Sequence, residues 1–231
     1  MSRRFLSPEE AKRFYDRVGR WQDWQRFYEG PPVELLLRHG RFDSAEAVFE
    51  LGCGTGALAQ RLLEEILPSH SLYVGVDLSA TMVKIAQERL GKFGERARLV
   101  HTDGSLRFPF EDGTYDCFLS TYVLDLLPPT SIRNALKEAY RLLREGGHLC
   151  LAGLTFGRNP ISRIVSKVWD RIHRLSPSLV GGCRPLHLRP FLEERRWKAL
   201  ICSVVEPWGI PSEILVAQRR REMEPVQRRN A

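Results

Sequence analysis

The run Val48-Phe49-Glu50-Leu51-Gly52-Cys53-Gly54-Thr55-Gly56 limits what this chain can fold into more than any other segment. It reads as a buried strand that ends in an acid and breaks into a glycine-rich turn, with an amphipathic stretch, Ala57 to Leu67, directly after it. Glycines let the backbone approach a ligand with no Cβ in the way. A helix N-terminus just beyond supplies unpaired N–H groups and positive potential. A second apolar strand, Leu72 to Val76, ends at Asp77, which follows Gly56 by 21 residues. A strand–turn–helix–strand unit of this size brings the second acid beside the turn, within reach of ribose hydroxyls. Ser79 then reads as the N-cap of a helix from Ala80 to Leu90. A third strand, Ala97 to Thr102, ends at Asp103-Gly104, where a carboxylate can accept from an exocyclic amine such as that of adenine. Aspartates are common wherever strands stop, as turn and cap residues. It is the ordered set of Glu50, glycine turn, Asp77 and Asp103 at one sheet edge that points to a nucleotide-like cofactor.

The alternation continues with a strand from Tyr115 to Tyr122, a helix from Ser131 to Arg144 ending at Gly146-Gly147, and a strand from His148 to Gly153. Two late strands follow, Trp197 to Val205 and Glu213 to Gln218. Strands alternating with helices predict a doubly wound α/β domain on a mostly parallel sheet. Ahead of it, Ser7-Pro8-Glu9-Glu10 opens a helix with a capping box, Gly19 interrupts it before Trp21 and Trp24, and Gly30-Pro31-Pro32 predicts a break before a short helix, Val33 to Arg38. The expected organisation is an N-terminal helical segment over residues 1–40 and a cofactor-binding domain over 41–218. Residues 154–196 form a helical insert within that domain, and 219–231 a polar tail. A plain crossover needs little more than one helix, so the 43-residue insert is in excess.

Hydrophobic residues make up 43% of the 231, ample for a core, and no apolar run is long enough to span a bilayer. The first residues lack the apolar segment of a signal peptide, so the default compartment is the cytoplasm. Cys53, Cys117, Cys150, Cys183 and Cys202 show no metal spacing or disulfide framework, and Cys117, Cys150 and Cys202 read as small buried residues. The net charge of +7 arises from basic residues concentrated in the insert. It reads either as a solvated surface or as attraction to an anionic partner: a phosphorylated substrate, an acidic lipid surface or RNA. In the insert, Ile161, Ile164, Val165, Val168, Trp169, Ile172 and Leu175 follow helical spacing, and Arg163, Lys167, Arg171 and Arg174 fall on the other face. Such a helix either covers a core or lies on an anionic membrane as a peripheral contact.

Four segments together resemble the class I S-adenosylmethionine (SAM) methyltransferases: Glu50 to Gly56, Val76-Asp-Leu-Ser79, Pro109-Phe-Glu-Asp-Gly-Thr-Tyr-Asp116 and Leu142-Leu-Arg-Glu-Gly-Gly147. The resemblance spans roughly residues 46 to 153 and is nearest to enzymes that methylate quinone precursors and membrane lipids. It implies a seven-stranded Rossmann-like sheet closed by an antiparallel hairpin of the two late strands, with the insert between strands 5 and 6 serving as a substrate cap. It implies SAM as cofactor, with the glycine turn at the methionine part, Asp77 on the ribose and Asp103 at the adenine. The implied cofactor set is Tyr15, Glu50, Gly52, Cys53, Gly54, Gly56, Asp77, Leu78, Asp103, Gly104 and Thr121. Tyr15-Asp16 matches one Tyr-Asp pair of the family, whereas the second reads Gln22-Asp23. The loop Ser120 to Pro129 is implied to lie beside the transferred methyl, which makes Tyr122 and Asp125 candidates for the acceptor pocket, although many relatives carry His near position 125. His187, in the insert, is the remaining candidate base.

Because a sulfonium methyl is already electrophilic, the protein mostly positions the acceptor, and no catalytic triad is required. The expected acceptor is a small molecule, amphipathic, lipid-like or anionic. Three other readings stay open. Gly52-x-Gly54-x-x-Ala57 formally satisfies a dinucleotide fingerprint, but no nicotinamide-side domain follows. The cofactor motifs argue for binding rather than turnover, so a non-catalytic SAM-binding module also fits. Charge suggests an RNA methyltransferase, yet Leu127-Pro128-Pro129-Thr130 lacks the polar and aromatic residues of the loop that clamps an amino nitrogen on a base.

Overall fold

A computed structural model describes residues 4–19 and 26–221. The expectations for Trp21, Trp24, Gln22-Asp23 and most of the polar tail lie outside the described residues. The elements are α1 (Pro8–Val18), α2 (Arg26–His39), β1 (Ala47–Leu51), α3 (Ala57–Arg61), β2 (Leu72–Asp77), α4 (Ala80–Leu90), β3 (Ala97–His101), β4 (Tyr115–Thr121), α5 (Pro129–Leu142), β5 (Leu143–Leu154), α6 (Pro160–Leu175), β6 (Trp197–Val205) and β7 (Ser212–Arg219). The seven strands form one sheet in the order β3-β2-β1-β4-β5-β7-β6. The pairs from β3 through β5 are parallel, and β7 runs antiparallel between β5 and β6. The late strands therefore do form the predicted hairpin. Central strands β1, β2 and β4 are buried on both faces, as a sheet covered by helices on each side requires. On one side α5 places Ile132, Leu136 and Ala139 against Phe49, Phe118 and Leu149; on the other Leu36, Leu62 and Tyr73 pack together. The chain leaves β1 in one direction and returns to β4 in the other, so the crevice between their carboxyl ends is the expected ligand site.

Four expectations are corrected. Gly30-Pro31-Pro32 does not break the chain: α2 runs through both prolines. The missing proline N–H groups leave the carbonyls of Phe27 and Tyr28 without intrahelical donors. Burial of Tyr28, Leu36 and Leu37 against the sheet offsets that cost. The α5 helix stops at Leu142 rather than Arg144, because Leu143 already pairs with Tyr115 as the first residue of β5. Gly146, at φ 75°, lies inside β5 where the ladder shifts register, so it marks a bulge and not a helix end. The helix after the glycine turn is α-helical only to Arg61 and continues as a π turn over Leu62–Ile66. Cys202 is exposed, because β6 is an edge strand with one open face, whereas Cys117 and Cys150 are buried in central strands.

Candidate active site

The glycine turn is built from positive-φ positions: Gly52 at 79°, Gly54 at 52° and Gly56 at 74°. The N–H groups of Gly52 and Cys53 both donate to the carbonyl of Val76, which locks the turn to the end of β2 (2.8 and 3.1 Å). Asp77 completes the lock: its Oδ2 accepts from Gly54 N–H at 2.9 Å and its Oδ1 from Ser79 N–H at 2.8 Å. Burial raises the Asp77 carboxyl above its ordinary range, against the pull of those two N–H groups. Beneath the turn, Glu50 is buried and accepts from the Tyr73 hydroxyl. Burial pushes the Glu50 carboxyl up to about 7; the Tyr73 hydrogen bond opposes the shift and the Asp77 charge adds to it.

Gly56 does a different job from its two neighbours. It caps α3, and a Cβ there would lie 3.0 Å from Ala86 Cβ on α4. Gly56→Ala is expected to lower stability by about 2 kcal/mol, from left-handed strain plus crowding, in a urea unfolding titration. Unchanged stability would mean that the α3–α4 contact yields freely.

Two cavities flank the turn and share Gly52, Gly54, Thr121 and Tyr122 as walls. The larger, about 240 Å³, is bounded by Asp77, Leu78, Met82, Gly104 and Leu106 at one end and by Val123, Leu126 and Leu127 at the other. The roof is α1, which contributes Pro8, Ala11 and Tyr15. The smaller, about 120 Å³, is bounded by Glu29, Gly30 and Val33 of α2 with Glu50, Cys53 and Arg61. Helix α1 opens with a capping box of Ser7 and Glu10 and is tied to the start of α4 by Asp16, whose Oδ1 accepts from Ser79 Oγ at 2.6 Å. Burial disfavours the Asp16 carboxylate, yet hydrogen bonds from Lys12, Ser79 and Thr81 hold its pKa at about 2. The sequence marked Asp16 only as the partner of Tyr15 in a Tyr-Asp pair; its bond to the N-cap serine of α4 is shown by the structure alone.

Tyr15, Glu50, Gly52, Cys53, Gly54, Asp77, Leu78, Gly104, Thr121 and Tyr122 all line one cavity or both. Asp103 does not: it is exposed and accepts from Ser105 N–H at 2.8 Å, while Gly104, Ser105 and Leu106 form the wall there. Of the three candidate catalytic residues, only Tyr122 reaches the cavities, at φ 55° and with its hydroxyl donating to Ser212 Oγ at 2.9 Å. Asp125 is fully buried behind the wall, where Oδ2 accepts from Leu154 N–H at 3.2 Å and its backbone carbonyl accepts from Arg184 at 2.6 Å. Burial raises its carboxyl to about 6. His187 lies at the surface, 3.3 Å from Thr155 Oγ1 and beside the Phe156 ring. The wall residues Met82, Leu106, Leu126 and Ser131 were not singled out from the sequence, since apolar and hydroxyl side chains carry no motif of their own.

Residues 48–147 match the family described as "Methyltransferase domain". The malonyl-[acyl-carrier protein] O-methyltransferase of Marinomonas sp. is 30% identical over 160 residues, covering 69% of this chain and 55% of that protein. The tRNA N(3)-methylcytidine methyltransferase Mettl2 of Drosophila melanogaster is 27% identical over 141 residues, covering 60% of this chain and 43% of that protein. The chain thus spans about half the length of these curated relatives. Among solved structures, the [4+2]-cyclase SpnF superposes with a TM-score of 0.72 at 14% identity, over 95% of this chain and 99% of that one, a likeness of fold. The domain match lies on the glycine turn, β2 and the following strands, and it identifies residues 48–147 as a methyltransferase domain of the class I S-adenosylmethionine-dependent kind.

Proposed function

We propose that this chain transfers a methyl group from SAM to a small amphipathic acceptor. The observation that carries this reading is the pair of cavities joined at Gly52, Gly54, Thr121 and Tyr122. Their linings fit the cofactor's parts. Leu78, Met82 and Leu106 offer apolar faces to a purine beside the open backbone of Gly104. Asp77 spends one lone pair of each oxygen on the turn, which leaves acceptor capacity for ribose hydroxyls. The smaller cavity offers charges of both signs, Glu29 and Arg61, to an amino-acid end. Bound there, SAM supplies an electrophilic methyl at its sulfonium.

The chain's own part is then positioning. Tyr15 and Tyr122 have hydroxyls pushed up by burial and committed to Gly181 O and Ser212 Oγ, so they act as walls that orient the acceptor rather than as bases. Leu126 and Leu127 make the acceptor end apolar, which favours an amphipathic molecule. The acyl substrate in the name of the Marinomonas relative supports the same reading. The tRNA substrate in the name of Mettl2 favours RNA as the second reading. A SAM-binding module without turnover is the third.

Calorimetric titration with S-adenosylhomocysteine, with NAD as control, is the first test. Radiolabelled methyl transfer into lipid, metabolite and RNA extracts follows. S-adenosylhomocysteine binding with label in the lipid or metabolite fraction is expected. Label in RNA alone, or NAD binding alone, overturns the proposal, and binding without transfer leaves the module reading.

A further inference from the structure

A surface helix ordinarily turns its apolar stripe inward. Helix α6 departs from this: Trp169 packs half-buried against the core, with Val165 and Ile172 half-buried as well, but the innermost stripe is polar and the rest of the apolar stripe faces out. Ser162, Ser166, Asp170 and His173, spaced along one stripe, are buried. Ile161, Ile164, Val168 and Leu175 are exposed, Ile164 at 64% and Leu175 at 81%. The buried serines are satisfied: Ser166 Oγ accepts from Gly157 N–H at 3.1 Å and donates to Arg163 O, and Ser162 Oγ donates to Glu206. The inward polar face is therefore a built contact, and the outward apolar face is its consequence.

The ridge extends past the helix. Glu206 accepts from Asn159 Nδ2 at 2.7 Å as well as from Ser162, which fastens the β6–β7 turn to the start of α6. In that turn Trp208 sits at φ 55°, costly for a bulky residue, and its side chain is 82% exposed. A Cβ on Gly209 would meet Ile161 Cγ2 at 3.2 Å, so the turn abuts the apolar stripe. At the far end Leu179 is exposed as well. Sixteen helical residues make the ridge about 24 Å long. Arg163, Lys167, Arg171 and Arg174 are exposed along its flank. Helix α6 has one acid, Asp170, and it faces inward and pairs with Arg174.

We propose that α6 and the Trp208 turn form a docking face for an anionic lipid bilayer. Aliphatic side chains along a helix, a basic flank and an aromatic at one end are the elements of a helix that lies in the headgroup plane. A second copy of this chain packed on the ridge would set the basic flanks against one another with no outward acid on α6 to offset them. The face also adjoins the site. Trp169 Nε1 on α6 donates to Cys183 O at 3.0 Å, and Tyr15, in the cavity roof, donates to Gly181 O at 3.3 Å. An acceptor dissolved in the bilayer would have one loop to pass. The docking goes beyond methyl transfer and does not rest on it.

Sedimentation of the full chain with phosphatidylglycerol vesicles, with phosphatidylcholine vesicles as control, tests the proposal. Binding to the anionic vesicles at low ionic strength is expected, with loss at high salt. The double variant Ile164→Asp/Val168→Asp is expected to bind on the order of a hundredfold more weakly, since two aliphatic side chains no longer insert. Lys167→Glu/Arg171→Glu is expected to weaken binding as well. All four side chains are exposed, so melting temperature and S-adenosylhomocysteine binding should not change. Absence of S-adenosylhomocysteine binding in the wild type would count against the cofactor reading alone. No binding to anionic vesicles, equal binding by the Ile164→Asp/Val168→Asp variant, or a wild-type dimer that this variant splits would overturn the docking face.

Discussion

Asp77→Ala is expected to weaken S-adenosylhomocysteine binding on the order of a hundredfold, because hydrogen bonds to a charged group are worth about 1.5–3 kcal/mol each. The effect has two parts. The variant loses the carboxylate proposed to receive the ribose hydroxyls. It also strips the acceptor from Gly54 N–H and Ser79 N–H, the two contacts that hold the turn against the start of α4. Asp77→Asn separates these parts: it keeps one carbonyl oxygen for the backbone but replaces an acceptor with a donor. Calorimetry should rank wild type, Asn and Ala in falling affinity, with a thermal melt confirming that each is folded. Equal affinity in all three would remove Asp77 from the cofactor site.

Glu50→Gln should alter how stability depends on pH. The native Glu50 carboxyl is raised to about 7 from an ordinary 4.5. Between these values the native state binds the proton more tightly than the unfolded chain does. Stability therefore falls as pH rises from 4.5 to 7 and is level above that. Gln resembles the neutral acid and removes this slope. The variant and the wild type should be close near pH 4.5 and diverge to about 3 kcal/mol in the variant's favour by pH 8. Asp77 is raised too and contributes a slope of the same sign, but that slope is common to both proteins. Urea titrations over this range give the answer directly; parallel curves would show that Glu50 is not buried as an isolated acid. The result bears on the site, since the stability that Glu50 forgoes at neutral pH is held at the floor of the glycine turn.

The proposed chemistry asks little of the protein beyond placement, and the structure is consistent in this. The cavity walls near Tyr122 are apolar or hydrogen-bonded internally, and the two other candidate catalytic groups lie outside the linings. Among the described residues no helix is long and apolar enough to cross a membrane.

The alternation of strand and helix, the glycine turn, and the arrival of Glu50 and Asp77 beside it were legible in the residues themselves. Each depends on neighbours within one turn or one crossover, where period and spacing dictate geometry. The antiparallel hairpin of β6 and β7 was expected from the family resemblance, and the short connection between the two strands allows it. What lies across the fold was not. Asp125 follows Tyr122 by three residues, yet its carboxyl turns to Leu154 while Tyr122 faces the cavities. The proline-bearing α2 survives through what it buries, and Cys202 is exposed because its strand is the last in the sheet. The amphipathic pattern of α6 was plain, but which of its faces meets the domain depends on the partners that Glu206, Gly157 and Cys183 supply from elsewhere. Periodicity determines that a helix has two faces; only packing against the rest of the molecule decides which one is turned to solvent.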